Sequence, residues 1–132
     1  MLPSILFPQT STNTLPSALT LEFLEAAFYQ QGFAKFPASD FAALGLAPED
    51  IENLKSIGVT EEAHVSTLLS AIAATGQQPV QACTYDFKFT DAAGMVATAS
   101  VLEQVGVSAY VFSFSQFLSM TKYEYKLIMR NR

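Results

Sequence analysis

The sequence predicts an all-α fold: a bundle of three long helices, with a wide connection between the second and third. Three observations predict it. Half of the 132 residues are hydrophobic and only 14% are charged, which suits one packed domain and is too apolar for a disordered chain. Pro or cap residues stand where long helical stretches begin, and Gly stands where they end. The first and third stretches are apolar almost all round, as in helices buried on most sides.

Residues 1–14 read as an irregular lead-in rich in Pro, Ser, Thr and Asn. Pro16 suits the first turn of a helix, where its missing N–H costs nothing. That helix runs to about Gln31, with Gly32 as its stop. Phe33 to Leu46 forms a connection with a short helical turn near Ser39–Leu44, closed by Gly45. The second helix starts at Pro48, with Glu49, Asp50 and Glu52 near its positive end. It runs to about Thr75, and Gly76 ends it. Gly58 lies inside it at a cost of about 1 kcal/mol relative to Ala, and marks a bend or a break. Gln77 to Phe89, which includes Pro79, reads as a long extended loop. Thr90 caps the third helix, with Asp91 in its first turn. That helix covers Ala92–Tyr110 and extends toward Met120. The chain thus divides into a lead-in (1–14), a helical domain (15–120) and a basic tail (121–132).

Charge and composition exclude several functions. The formal net charge is -5, which argues against nucleic acid as a partner. Residues 1–121 hold eleven acids against Lys35, Lys55 and Lys88. The tail holds Lys122, Lys126, Arg130 and Arg132 against Glu124 alone. The single cysteine, Cys83, allows no internal disulfide. The single histidine, His64, excludes a Cys/His zinc site within one chain. Met1 to Ser11 lacks a basic n-region and carries Pro3 and Pro8, so no intact secretory signal is read there. Ala92 to Met120 carries only one charge, Glu103, and is long enough to span a bilayer. A central acid costs about 2.5–3.5 kcal/mol on insertion scales, and Glu103 and Gln104 fall near its centre. The membrane reading therefore stands second to a soluble bundle.

The chemistry rests on acids inside apolar helices. Glu22 and Glu25 sit in the middle of the first helix, and Glu103 in the third. An unpaired carboxylate in such surroundings is costly, and is normally protonated, paired or metal-bound. The second helix offers Glu61-Glu62-Ala63-His64, in which Glu61 and His64 are three residues apart and share a face. Carboxylate with imidazole suits iron, manganese or zinc. A weak repeat joins the outer helices: Leu21-Glu22 precedes Tyr29 by about two turns, and Leu102-Glu103 precedes Tyr110 in the same way. Such a pattern fits two related halves, each a Glu helix followed by a Glu-x-x-His helix. One Glu from each of two helices with Glu-x-x-His from each of the other two is the ligand set of carboxylate bundles. Here the chain supplies Glu22, Glu61, His64 and Glu103. No histidine follows His64, and Glu124 is the only later acid.

Three stretches carry a resemblance: Leu19-Thr-Leu-Glu-Phe-Leu-Glu-Ala-Ala-Phe-Tyr29, Glu61-Glu-Ala-His64 and Ser100-Val-Leu-Glu-Gln-Val-Gly-Val-Ser-Ala-Tyr110. With Pro79-Val-Gln-Ala-Cys-Thr-Tyr-Asp-Phe87, they resemble the ferritin-like domain of fungal stress-response and desiccation-related proteins, over about residues 18–112. The resemblance implies a ferritin-like bundle, often secreted, with a di-metal centre and no settled reaction. It implies Glu22, Glu61, His64 and Glu103 as metal ligands, Glu25 as a substitute for Glu22 or a neighbour of the site, and Glu62, Tyr29 and Tyr110 around it. The family's fourth helix, with its Glu and His, has no counterpart after about Phe112, which suggests a C-terminally truncated product. At most one ion of reduced affinity is then expected, iron or manganese at low occupancy, and the expectation leans toward a non-enzyme. The alternative is a non-catalytic packing module that self-associates as a homodimer through the groove the fourth helix would fill.

Overall fold

The computed structural model describes residues 14–106. The expectations placed on 1–13 and 107–132 lie outside the described residues: the lead-in, the third long helix beyond 106, Tyr110 and the basic tail. Helix α1 spans Thr14–Lys35, α2 spans Ala38–Ala43 and α3 spans Pro48–Ala74. A further helix, α4, occupies residues 92–106. Residues 77–91 have no regular secondary structure.

The ends of the helices follow local chemistry, with two departures from the sequence reading. Gly45 and Gly76 take φ of +90° and +75°, left-handed values that glycine adopts without a Cβ penalty. They end α2 and α3 as expected. Gly32 does not end α1, which continues to Lys35. The cap of α4 is Asp91 rather than Thr90. Its Oδ1 accepts the Gly94 N–H at 2.7 Å, and its carbonyl accepts the Met95 N–H at 3.2 Å. A carboxylate at the cap also meets the positive end of the helix dipole. At the start of α3, Asp50 Oδ2 accepts the Ala47 N–H at 3.1 Å.

Three glycines mark where α1 is crossed. A Cβ at Gly58 would lie 2.8 Å from the Tyr29 Cβ, so α3 closes on α1 there. Gly58 neither bends nor breaks α3, which is continuous through it. A Cβ at Gly32 would lie 2.5 Å from the Met95 sulfur. A Cβ at Gly106 would lie 2.9 Å from a Glu25 carboxylate oxygen. These contacts set the helix directions. Along α1 from Glu25 to Gly32, the α4 partners descend from Gly106 to Met95, so α4 runs antiparallel to α1. Glu22 meets Glu61 and His64 while Tyr29 meets Gly58, so α3 is antiparallel to α1 as well. Helices α3 and α4 are therefore parallel to each other, and parallel neighbours need a long crossover.

That crossover runs back alongside α1. Gln31 Nε2 donates to the Tyr85 carbonyl at 3.3 Å, and Lys35 Nζ donates to the Phe89 carbonyl. Two carbonyls outside regular structure are thereby satisfied by side chains of α1. Phe28 is fully buried, with its ring 5.2 Å from Phe87 and 5.1 Å from Phe89 in edge-to-face geometry. Burial of such a ring contributes about 1.5–3 kcal/mol, and each aromatic pair about 0.5–1.5 kcal/mol more. The core continues through Tyr29, Phe36, Phe41, Ile51, Ala92, Met95 and Ala99. No helix among the described residues is long and apolar enough to cross a membrane.

Candidate metal centre

The face of α1 that turns inward carries Leu19, Glu22, Glu25, Phe28, Tyr29 and Gly32. Their spacing of three and four residues places them on one stripe, so the two glutamates are forced inside with the aromatics. Glu22 is 1% exposed and Glu25 6%. Opposite them, Glu61 of α3 is 5% exposed, and His64 stands one turn further along the same face.

The geometry converges on one imidazole nitrogen. His64 Nδ1 lies 3.2 Å from Glu22 Oε2 and 3.0 Å from Glu61 Oε2. Glu22 also stands close enough to Glu61 to help raise its carboxyl. One ligand atom each from Glu22, Glu61 and His64 lies within 4.8 Å of the others. The histidine side chain is 43% exposed while Glu22 is 1% exposed, so the imidazole stands at the mouth of the group and the acids form its floor.

Electrostatics show how costly this group is without a cation. Burial, and then the nearby charges of Glu61, Glu22 and Glu103, push the Glu25 carboxyl up to about 8. Burial and the bond to Glu22 push Glu61 up to about 7, opposed by His64. Burial pulls His64 down, but its bond to Glu61 and the charges of Glu22 and Glu61 outweigh that and raise it. Several acids thus share too little positive charge.

Of the four ligands expected from the sequence, Glu22, Glu61 and His64 come together. Glu103 is not part of that group: its Oε1 accepts the Tyr29 hydroxyl at 2.7 Å. Burial and that bond push the Tyr29 hydroxyl above its ordinary value. Glu25 is buried and feels the charges of Glu61, Glu22, Glu103 and His64, but it is not part of the three-residue group. Glu62 faces outward and borders a surface cleft of about 400 Å³ between α1, α3 and the crossover. Cys83 borders the same cleft and is exposed. Tyr110 lies outside the described residues. Sequence reasoning missed the close approach of Gly106 to the Glu25 carboxylate. Its signal was Glu103-x-x-Gly106, a spacing that places the glycine on the same face of α4 as Glu103.

The donor set fits a divalent metal ion. Ligand atoms bind such ions at about 2.0–2.2 Å, so adjacent ligands of one ion stand roughly 3.0–3.4 Å apart. The Nδ1–Oε2 separations of 3.0 and 3.2 Å fall in that range. Two carboxylates and an imidazole suit iron, manganese or zinc. No curated protein matches the chain in comparison. The profile of the ferritin-like domain family, in contrast, matches residues 10–126, a span that includes all four helices and every residue of the Glu22–Glu61–His64 group. The chain therefore belongs to the ferritin-like domain family.

Proposed function

We propose that this chain binds one divalent transition-metal ion between α1 and α3, held by Glu22, Glu61 and His64, with iron or manganese as the occupant. The observation that carries the reading is the meeting of two buried carboxylates on one histidine nitrogen at 3.0 and 3.2 Å. A carboxylate that is 1% exposed needs a compensating charge or a proton, and a half-exposed imidazole supplies only part of that charge.

Each residue has a task. Glu22 and Glu61 give anionic oxygens from opposing helices, so a bound cation would supply the charge that these buried acids lack. His64 gives a neutral nitrogen at the solvent side, where the ion enters. Iron or manganese in such a site would supply a redox couple or a stored ion. Three protein ligands leave further positions for water or an oxygen-bearing partner. A stress-response role for this centre follows from the sequence resemblance alone.

The test is elemental analysis of the purified protein after expression with abundant iron and manganese, followed by titration of the stripped protein with Mn²⁺. Close to one equivalent per chain is expected, falling sharply in His64→Ala and Glu61→Gln. Less than about a tenth of an equivalent of any transition metal in the unaltered chain, with no Mn²⁺ uptake, would overturn the proposal.

A further inference from the structure

A second stripe of α1 carries Phe23, Ala26, Ala27, Gln30 and Gln31, which line the surface cleft against the crossover. Their spacing of three and four residues places them on one face. The two alanines stand between larger side chains and leave a hollow. Glu62 and Val65 of α3, with Cys83 and Tyr85 of the crossover, complete a cleft of about 400 Å³, a size that suits a small molecule. The crossover side of the cleft is held firmly. Gln31 Nε2 donates to the Tyr85 carbonyl at 3.3 Å. The Tyr85 ring stacks on Phe87 at 5.7 Å and 16°, and Phe87 meets the buried Phe28 edge to face. The hollow is therefore preformed.

The chemistry of the lining selects its guest. Among the described residues, Glu62 is the only charged side chain that borders the cleft. The lysines of residues 14–106 are all engaged elsewhere: Lys35 on the Phe89 carbonyl, Lys55 on Glu52 and Lys88 on Asp86. None of them serves Glu62. Gln31 commits its amide N–H to Tyr85 and so offers its amide oxygen as an acceptor. An anion would be repelled by Glu62. A neutral guest would cover that carboxylate without pairing it, at a cost. A metal ion would find one carboxylate here and gain nothing from Phe23, Ala26, Ala27 and Val65. A cation on an apolar body satisfies both halves of the lining.

We propose that this cleft is a second binding site, for a small organic cation: a primary amine carried on a flat aromatic body. The ammonium donates to the Glu62 carboxylate and to the Gln31 amide oxygen. The ring lies over Ala26 and Ala27, between Phe23 and Tyr85, whose π faces also favour a nearby cation. The site stands apart from the metal reading, because none of Glu22, Glu61 and His64 lines the cleft.

The experiment titrates the full chain, with excess chelator present, using tryptamine as the probe. The protein has no tryptophan, so indole fluorescence reports the probe alone. Saturable binding is expected, with a Kd on the order of 1 mM for a probe of this size. Indole-3-propionate, the same ring on a carboxylate, should bind about tenfold more weakly or not at all. Glu62→Gln should weaken tryptamine binding about fivefold, and Ala27→Leu, which fills the hollow, should abolish it. Cys83 is the only cysteine of the chain and borders the cleft, so saturating tryptamine should slow its alkylation by iodoacetamide. That measurement places the probe in the unaltered protein even if Ala27→Leu fails to fold. Absence of saturable tryptamine binding would overturn the site. Equal binding of the anion, or full affinity in Glu62→Gln, would overturn the choice of a cation. Unslowed alkylation of Cys83 by a protein saturated with tryptamine would show that the probe sits elsewhere and overturn the assignment to this cleft.

Discussion

Raising the pH should destabilise the metal-free protein, against the usual rise in stability on leaving acid conditions. The group concerned is Glu25, with Glu61, Glu22, Glu103 and His64 acting on it. Its folded-state value is pushed up to about 8 from an ordinary 4.5, first by burial and then by the neighbouring acids. A carboxyl whose value is higher folded than unfolded favours folding in its protonated form. Its contribution is complete below about 4.5 and is lost as pH rises through about 8. Between pH 5 and pH 8 the linkage relation gives a loss on the order of 3 kcal/mol from Glu25 alone. Glu61, raised to about 7, acts in the same direction over a lower window. The raised value of His64 has the same sign, because that cation too is lost as pH rises. A loss of about 3 kcal/mol is a large part of the 5–15 kcal/mol that holds a domain together, and lowers Tm by on the order of 10 °C. The assay is thermal melting with excess chelator from pH 5 to pH 8, followed by circular dichroism. Glu25→Gln, which stays neutral, should flatten the slope. Excess Mn²⁺ at pH 8 should restore stability, by about 2.7 kcal/mol at a hundredfold excess over Kd. A chelated protein whose Tm holds level or rises from pH 5 to pH 8 would refute the reasoning, because the acids would then be paired or hydrated by other means.

Other perturbations test the framework that holds the site. Gly58→Ala should destabilise by up to about 2 kcal/mol in urea unfolding: overpacking against the Tyr29 Cβ at 2.8 Å costs about 1–3 kcal/mol, and the gain in helix propensity offsets about 1 kcal/mol of it. A net gain in stability would mean that α3 and α1 stand further apart there. Asp91→Ala should cost about 1 kcal/mol by leaving the Gly94 N–H without its cap, read as a fall in the urea midpoint at constant slope. Tyr29→Phe should cost about 1–3 kcal/mol, since Glu103 loses the hydroxyl bonded to it at 2.7 Å.

The long helices were legible because their signals are local. Pro48, Gly45 and Gly76 are read from single residues, and α3 begins at Pro48 and ends two residues before Gly76. The pairing of Glu61 with His64 was equally legible, because a spacing of three on a helix fixes a shared face whatever lies opposite. The burial of Glu22 followed from the apolar residues around it. Less legible were features that depend on the partner across an interface. Gly32, read as a stop, is where Met95 packs. Gly58, read as a bend or a break, is where Tyr29 packs. A glycine in a helix has the same local cost in either role, and only the neighbour distinguishes them.

The sequence by itself determined that carboxylates and one histidine would sit on the inward faces of apolar helices, because helical periodicity and the cost of exposing aromatic stripes leave those faces nowhere else to go. Tertiary structure alone decided how they divide. Glu22 meets Glu61 and His64, Glu103 meets Tyr29, and Glu25 is covered by Gly106. Those choices turn on shifts of an ångström or two in helix separation and rotation. Contacts between residues 42, 74 and 81 positions apart set such shifts, and no local pattern in the chain encodes them.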